Sequence, residues 1–306
     1  MDLLLYIIIF LSVLIVSNAT NKLFPSLPTP LIQILLGIGL GFFIPVGTFH
    51  LETGLFLALI IGPLLFREAE ESDITSILKH WKIVVYLIFP VIFLSTLSLG
   101  FLSHWLWVSL PLAACIAVGA ALGPTDLVAF ASLSERFTFP KRVENILKGE
   151  GLLNDASGLV AFQFALTAWT TGKFSAQEAS TSLILSIIGG FIVGGLTAFL
   201  NRQLQKLLYT VRASDTAGEL LLELSLPLLT FFLAEELHVS GIIAVVVAGI
   251  FKASRFKRIT LLEAQVDTVT DTIWKTVTFM LNGAVFVILG IELETIAEPI
   301  LKSPVY

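Results

Sequence analysis

Long stretches of this chain carry no charged residue, and they restrict its possible folds more than any other feature. Residues 3–16, 83–103 and 106–123 are examples. A run of roughly 17–25 apolar residues can cross the hydrocarbon core of a bilayer as a helix. Only 13% of the residues are charged, whereas soluble domains average about 25%. The stretches lack the residue-by-residue alternation of membrane barrel strands. The chain is therefore predicted to be an all-α membrane protein.

Turn residues and charges divide the chain into about ten predicted transmembrane segments. Their ends are recognised where proline, glycine or charged residues interrupt the apolar runs. The fifth segment is itself interrupted at Gly123-Pro124, so the sequence predicts a broken helix near residues 123–126. The segments cover about 3–18, 30–45, 51–66, 82–103, 106–133, 142–168, 179–200, 218–236, 239–252 and 270–292.

Lysine and arginine are distributed unevenly over the predicted connections. The connections after odd-numbered segments hold 14 of them, and the even side, with the C-terminal tail, holds only Lys173 and Lys302. Basic residues stay on the cytoplasmic side of a membrane. The sequence therefore predicts a multi-pass protein whose N-terminus lies outside. The first segment lacks the positive start of a signal peptide and is expected to be retained.

Three acidic residues lie well inside predicted segments: Asp126 in the fifth, and Glu150 and Asp155 in the sixth. Placing such a group in hydrocarbon costs at least about 2.5–3.5 kcal/mol, so an acid at this depth is usually functional. The alternative for each is a neutral carboxyl that only bonds a neighbouring helix. Burial disfavours the charged form of a carboxyl, and a nearby cation favours it. A lone buried carboxylate can therefore hold a proton or a cation in turn, which is the simplest basis for antiport.

The break in the fifth segment offers oxygen ligands to a small cation. Pro124 has no N–H, so the carbonyl of Ala120 loses the donor that would follow it in a continuous helix. Thr125 adds a hydroxyl beside this break, and hard cations prefer oxygen ligands. Interrupted helices near the midplane form the ion sites of many secondary transporters. The alternative is a simple proline kink.

The sixth segment places small and polar residues around Asp155. At 100° per residue, Glu150 and Asn154 share one face and are expected to hold the geometry of a neighbouring helix. Gly151 and Gly158 lie about one turn before and one turn after Asp155. A helix that only packed would fill this space, so the glycines predict a recess for a water molecule or an ion.

Other features have simpler explanations. The glycines at 37, 39 and 41, and those at 190 and 194, are expected to let helices pack closely rather than to bind a nucleotide. The single cysteine, Cys115, is expected to be a buried core residue. The sequence contains no basic patch for nucleic acid and no cofactor motif. An acidic run after the third segment is expected to be solvated: Glu68, Glu70, Glu71 and Asp73.

Short motifs follow one another in order along segments five to ten. They are Thr125-Asp126-Leu127-Val128-Ala129, Gly149-Glu150-Gly151-Leu152-Leu153-Asn154-Asp155, Ala234-Glu235-Glu236-Leu237-His238-Val239-Ser240-Gly241, Ala244-Val245-Val246-Val247-Ala248-Gly249, Leu281-Asn282-Gly283 and Phe286-Val287-Ile288-Leu289-Gly290. Together they resemble the monovalent cation:proton antiporters, the bacterial NhaP and animal sodium/proton exchanger type. The resemblance covers nearly the whole chain.

The resemblance implies a fold of thirteen helices in two inverted repeats, with an ion-carrying core domain and a dimerisation domain. It implies that Asp155 is the shared cation and proton site, where Na⁺ also contacts the backbone carbonyl of Thr125. Asp126 would support the crossing helices and Asn154 would stabilise the core. Glu150 would pair with an arginine later in the family's sequence. The neighbouring Asn154 and Asp155 imply electroneutral exchange.

The same resemblance divides the chain by role. Residues 1–70, with helices 1–3, begin the dimerisation domain, and residues 71–170, with helices 4–6, form the first repeat of the core ion-binding domain. Residues 171–212 contain the linking helix 7, and residues 213–306, with helices 8–10, complete the dimerisation domain. The second-repeat core helices have no counterpart. The resemblance further implies a homodimer in the plasma (inner) membrane of a bacterium, with Na⁺, K⁺ or Li⁺ and H⁺ as transported ions and no cofactor.

Departures from the family pattern leave the preferred cation open. Leu127 replaces a proline, Gly151 replaces a serine that can ligate the cation, and Arg67 replaces a glutamate. One alternative is a truncated antiporter fragment that is inactive alone and only dimerises. Another is an intramembrane aspartyl protease, which is disfavoured because its Gly-x-Gly-Asp motif is absent; residues 123–126 read Gly-Pro-Thr-Asp.

Overall fold

The computed structural model describes residues 2–42, 52–72, 91–124, 139–171, 176–211, 213, 215–253 and 261–302. Within these ranges ten helices follow one another and no strand occurs. One of them, α3, consists of three consecutive stretches: α-helical Thr53–Phe56, π-helical Leu57–Ile61 and α-helical Gly62–Glu71. The others are α1 (Asp2–Leu23), α2 (Thr29–Gly41), α4 (Ile92–Leu106), α5 (Leu112–Leu122), α6 (Lys141–Thr171), α7 (Ala176–Thr210), α8 (Thr216–Glu236), α9 (Gly241–Ala253) and α10 (Leu261–Lys302).

Each predicted segment contains one of these helices, so the predicted all-α class is confirmed. The predicted interruption of the fifth segment is also found. The helix α5 ends at Leu122, and Gly123 and Pro124 follow as a bend. Its continuation, residues 125–138, lies outside the described residues. The helices α7 and α10 are longer than predicted, because they continue into polar sequence beyond their apolar stretches.

The helices have the lengths and the apolar surfaces that are typical of a membrane protein. Among the described residues, three helical stretches are long and apolar enough to span a bilayer: Leu185–Thr210, Thr216–Glu236 and Thr268–Leu293. Shorter apolar helices of 10–17 residues include α2, α5 and α9. Large apolar side chains cover the surface, such as Ile15 at 70% and Trp105 at 76% exposure. A soluble protein rarely exposes contiguous apolar surface on this scale, so lipid is the environment that fits it.

The helices fall into two compact units. The first comprises residues 1–64 and 259–306. In it α2 crosses α10 at Gly37 and Gly290, where a Cβ on Gly290 would lie only 2.8 Å from the Cα of Gly37. The predicted packing role of Gly37 is confirmed. At Gly39 the structure shows no such packing: among the described residues beyond its own helical turn, no atom lies within 4 Å of the position that its Cβ would take.

The second unit comprises residues 65–258. Its helices α7 and α9 approach closely because Gly190 and Gly194 lie against the backbone of α9. A Cβ on Gly190 would lie 2.9 Å from the carbonyl of Ser240, and one on Gly194 would overlap the carbonyl of Ala244. The packing role predicted for both glycines is therefore confirmed. The roles predicted for residues 1–70, 71–170, 171–212 and 213–306 concern dimerisation and ion binding, and they stay predictions.

Candidate functional site

Glycines bring α4 and α5 into close backbone contact ahead of the helix break. A Cβ on Gly100 would lie 3.0 Å from the Cα of Ile116, and one on Gly119 would overlap the carbonyl of Thr96. The neighbouring residue of Ile116, Cys115, is fully buried, as predicted from its apolar surroundings. This small-residue seam fixes where the last turn of α5, and therefore the break after it, lies against α4.

The break packs directly against α6, the helix that carries Asp155. A Cβ on Gly158 would overlap the Pro124 ring and would lie 3.4 Å from the carbonyl of Ala120. Only a residue without a side chain allows the proline to come so close. Proline imposes a kink on the chain. This kink therefore contacts α6, the helix that carries the predicted ion-binding residue Asp155.

The recess predicted at Gly158 is wrong, because the space left by the missing side chain is filled. The ring of Pro124 occupies it, so this glycine provides close packing and not a cavity for water. The sequence pattern alone could not separate the two, since a glycine leaves the same gap whether an ion or a neighbouring helix fills it.

The structure describes some of the predicted site residues and not others. Thr125 and Asp126 lie outside the described residues. Asn154 and Asp155 belong to α6, but their side chains lie outside the described residues, so the predicted Na⁺ ligands Asp155 and Thr125 remain predictions. Glu150 is described: it is 8% exposed and has an interaction partner within the chain. Among the described residues, no three His, Cys, Asp or Glu side chains gather into a metal site.

A cluster of buried charges, not predicted from the sequence, joins three helices of the same unit. We call Arg67, Glu70, Glu223 and Lys252 the buried charge cluster. The Nζ of Lys252 forms ion pairs with Glu70, at 3.1 Å from its Oε1, and with Glu223. Arg67 donates a hydrogen bond of 3.0 Å from Nη1 to Oε2 of Glu70. The cluster thus links the end of α3 to α8 and to the last turn of α9.

Another close backbone approach brings the cluster together. A Cβ on Gly249 would lie 2.7 Å from the Cβ of Ala69, so this glycine of α9 permits contact with the end of α3. Lys252 follows Gly249 by three residues and lies on the same side of the helix. Its Nζ lies 5.7 Å from the centre of the buried Phe66 ring, within the range of a cation–π contact. The apolar ring and two carboxylates therefore surround one ammonium group.

The prediction that the acidic run after the third segment is solvated is wrong for Glu70. Its side chain is 15% exposed and touches both basic members of the cluster, whereas Glu71 is 60% exposed and forms an ion pair with the Nε of Arg67, at 2.7 Å. A signal was present: Lys252 follows an unbroken apolar run, and a lysine at such a depth needs an acidic partner. The sequence does not say which acid that is.

Comparisons with known proteins agree with this architecture. A family model described as "Sodium/hydrogen exchanger, transmembrane" matches residues 7–304. A sodium, potassium, lithium and rubidium/H⁺ antiporter of Bacillus subtilis is 36% identical over 99% of this chain and 45% of its own length. An uncharacterized Na⁺/H⁺ exchanger of Escherichia coli, YjcE, is 32% identical over 99% of this chain and 55% of its own length. The chain spans about half the length of these curated relatives.

A solved structure shares the fold. The sodium proton antiporter MjNhaP1 from Methanocaldococcus jannaschii matches with a TM-score of 0.72 and 22% identity, over 95% of this chain and 71% of that one. Similarity at this level of identity concerns the arrangement of helices alone. The family model, in contrast, matches sequence along almost every helix described above. The chain therefore belongs to the sodium/hydrogen exchanger family.

Proposed function

We propose that this chain forms the ion-binding region of a secondary transporter that exchanges a monovalent cation for H⁺, with Asp155 binding each in turn. The observation that carries the proposal is the contact between Pro124 and Gly158. Asp155 lies three residues before Gly158 on α6, within one turn of the contact. The interrupted end of α5, with the carbonyl that proline leaves without a helical donor, therefore lies within one turn of an intramembrane acid.

The chemistry of this pairing suits exchange. A carboxylate in a low-dielectric site favours protonation, and an arriving cation favours its ionised form. Proton and cation therefore compete for one group, and each can leave only when the other takes its place or the site opens to the opposite side. The family of sodium/hydrogen exchangers consists of transporters and not of enzymes. Exchange of one cation for one proton on a single carboxylate is electroneutral, which is part of the proposal.

Na⁺ is the proposed cargo, with K⁺ and Li⁺ as further substrates. The Bacillus subtilis relative is named for Na⁺, K⁺, Li⁺ and Rb⁺, which supports a site of broad monovalent preference. Asn154 is proposed to stabilise the core and Asp126 to support the helix crossing. Thr125 is proposed to contribute its backbone carbonyl to the bound cation.

The orientation with the N-terminus outside, in the inner membrane of a bacterium, belongs to the proposal. The alternation of spans receives support from the buried charge cluster, which gathers the end of α3, the first half of α8 and the end of α9. In an alternating ten-span topology these three points fall on one side. The sidedness itself rests on the 14-to-2 division of lysine and arginine. A homodimer formed by residues 1–70 and 213–306 is proposed on the family resemblance.

Asp155→Asn is the direct test in everted membrane vesicles with a pH-sensitive dye. The amide cannot exchange a proton for a cation, so Na⁺-driven proton movement should fall to background while the amount of protein in the membrane stays unchanged. Asp215→Asn is the matched control, because Asp215 is an exposed acid that accepts a 2.8 Å hydrogen bond from the N–H of Gly218 at the start of α8. Asparagine serves equally well at that position. Na⁺-driven movement of normal size in Asp155→Asn would contradict the proposal.

A further inference from the structure

Three oxygen atoms surround one side of Gly123, where α5 ends. They are the carbonyl oxygen of Gly119, Oγ of Ser95 and Oγ1 of Thr96, at 3.1, 3.2 and 3.3 Å from the position that a Cβ on Gly123 would take. We call this group of oxygens the Gly123 notch. Two of its members come from α4 and one from α5, so the notch depends on the glycine-lined seam between these helices.

The hydroxyl of Thr96 is the unusual member of the notch. Thr96 is 6% exposed, and its Oγ1 is buried without a hydrogen-bond partner among the described residues. A helical threonine ordinarily donates to the carbonyl of the preceding turn. Several threonines of this chain do so, each toward the residue four positions earlier: Thr20, Thr167, Thr170, Thr171, Thr210, Thr272 and Thr276.

An unsatisfied buried hydroxyl carries a penalty of about 1–3 kcal/mol. A partner that occupies the notch removes this penalty, whereas an empty notch retains it. Ser95 already has another interaction. A hydroxyl oxygen and a carbonyl oxygen each carry two lone pairs, so each can accept more than one contact. The group that completes the notch can therefore be an electron-pair acceptor such as a cation.

We propose that the Gly123 notch binds a small monovalent cation as an entry station beside Asp155, and that Thr96 sets cation preference there. The inference rests on the proposed function, because it assigns the notch to the same ion route. Hydroxyl and carbonyl oxygens are ligands of hard cations. Without a carboxylate among its three oxygens the notch binds weakly, and a conducting or transporting site needs occupants that leave again. Pro124, the next residue, contacts α6 at Gly158, one turn from Asp155.

Thr96→Val removes the hydroxyl and keeps the shape of the side chain, and Thr96→Ser keeps the hydroxyl. Both are measured in everted vesicles for half-saturating Li⁺, Na⁺ and K⁺, and as purified chain for the rise in melting temperature that each chloride salt produces at equal ionic strength. Thr96→Val should raise the half-saturating concentrations about threefold to tenfold, the equivalent of one lost polar contact. The change should differ between Li⁺ and K⁺. Thr96→Ser should stay close to the unaltered chain.

Thr270→Val is the matched control. Thr270 is 5% exposed and its Oγ1 is likewise buried without a hydrogen-bond partner among the described residues, but it belongs to α10 and the first unit. Its replacement should leave cation affinity unchanged. Gly123→Ala is the second variant, because a Cβ there enters the notch while every oxygen is retained. It should weaken cation binding in the same direction as Thr96→Val.

The outcomes separate this inference from the proposed function. Unchanged affinity and unchanged ion preference in both Thr96→Val and Gly123→Ala would mean that the notch holds only water, and the inference would be overturned. In that case a response lost in Asp155→Asn but present in the unaltered chain would leave the proposed function standing. Absence of any cation response in the unaltered chain would overturn the proposed function, and the inference with it.

Discussion

Two regions of the second unit bury polar groups in opposite ways. In the buried charge cluster, two basic and two acidic side chains lie together and every one of them contacts an opposite charge. At the end of α5, where it meets α4 and α6, the described groups around Gly123 and Pro124 are neutral, and the hydroxyl of Thr96 in α4 has no hydrogen-bond partner among the described residues. Both regions depend on a glycine, Gly249 or Gly158, that lets a backbone come close.

The difference indicates what each region is for. Each charge of the cluster lies beside an opposite charge, so the cluster holds the end of α3, the first half of α8 and the last turn of α9 together. The described groups of the notch are neutral, and a mobile cation is the occupant proposed for its oxygens. In a membrane, where water cannot satisfy stray groups, charges that neutralise one another favour a structural role, and neutral oxygens beside a helix break favour a site for an ion.

Removing the central ammonium should produce the largest effect. Lys252→Met leaves the carboxylates of Glu70 and Glu223 facing each other in a buried place, and losing one partner of a buried pair costs about 3–5 kcal/mol. The free energy of unfolding, measured by denaturant titration in mixed micelles with tryptophan fluorescence, should fall by that amount. Lys206→Met, at an exposed lysine of α7, is the control.

The double variant sharpens this prediction. Adding Glu223→Gln to Lys252→Met removes one of the two carboxylates that then face each other, so part of the lost stability should return. Such non-additivity is expected only for groups in direct contact. A cost for Lys252→Met no greater than that for Lys206→Met would mean that the cluster does not hold the three helices together.

An overpacked crossing should produce the next largest effect. Gly158→Ala places a methyl group in the space that the Pro124 ring occupies, and extra volume in a packed region costs about 1–3 kcal/mol. Gly39→Ala is the matched control within a helix, because its methyl group meets no atom of the described residues within 4 Å beyond its own helical turn. It should stabilise the chain by up to about 1 kcal/mol, since alanine is the better helix former. Melting of both purified variants tests whether the signs are opposite.

Periodicity and composition predicted the elements of this fold well. Each of the ten predicted apolar segments corresponds to a helix. In lipid a helix must form all its backbone hydrogen bonds internally, so it is recognisable in the sequence as a long run without charged residues. The break at Gly123-Pro124 was also predictable, since proline removes a backbone donor and the glycine before it weakens the helix further. Proline alone is not sufficient, because α8 continues through Pro227. These properties are local, and a single sequence contains them completely.

The partners of buried groups could not be predicted in the same way. Lys252 and Glu70 are separated by most of the chain, and Glu70 stands in a run of acids that looks solvated. Whether Gly158 provides a recess or a contact depends on Pro124, which belongs to another helix. Only tertiary packing decides such questions. The sequence singled out Gly158 but not what fills its space, and it did not single out Glu70 or Lys252.

The smallest effect should come from Glu71, which shares Arg67 with Glu70 but lies in solvent. Glu71→Gln removes an ion pair whose acid is 60% exposed, and such a pair contributes about 0.2–1 kcal/mol. Glu70→Gln, one residue earlier, removes a carboxylate that is 15% exposed and contacts two buried cations, so it should cost about 3 kcal/mol or more. Salt screens exposed charges far more than buried ones. The effect of Glu71→Gln should therefore vanish in about 1 M salt, whereas that of Glu70→Gln should persist. Equal costs for the two variants would show that pairing with Arg67, and not burial, determines the strength of the cluster.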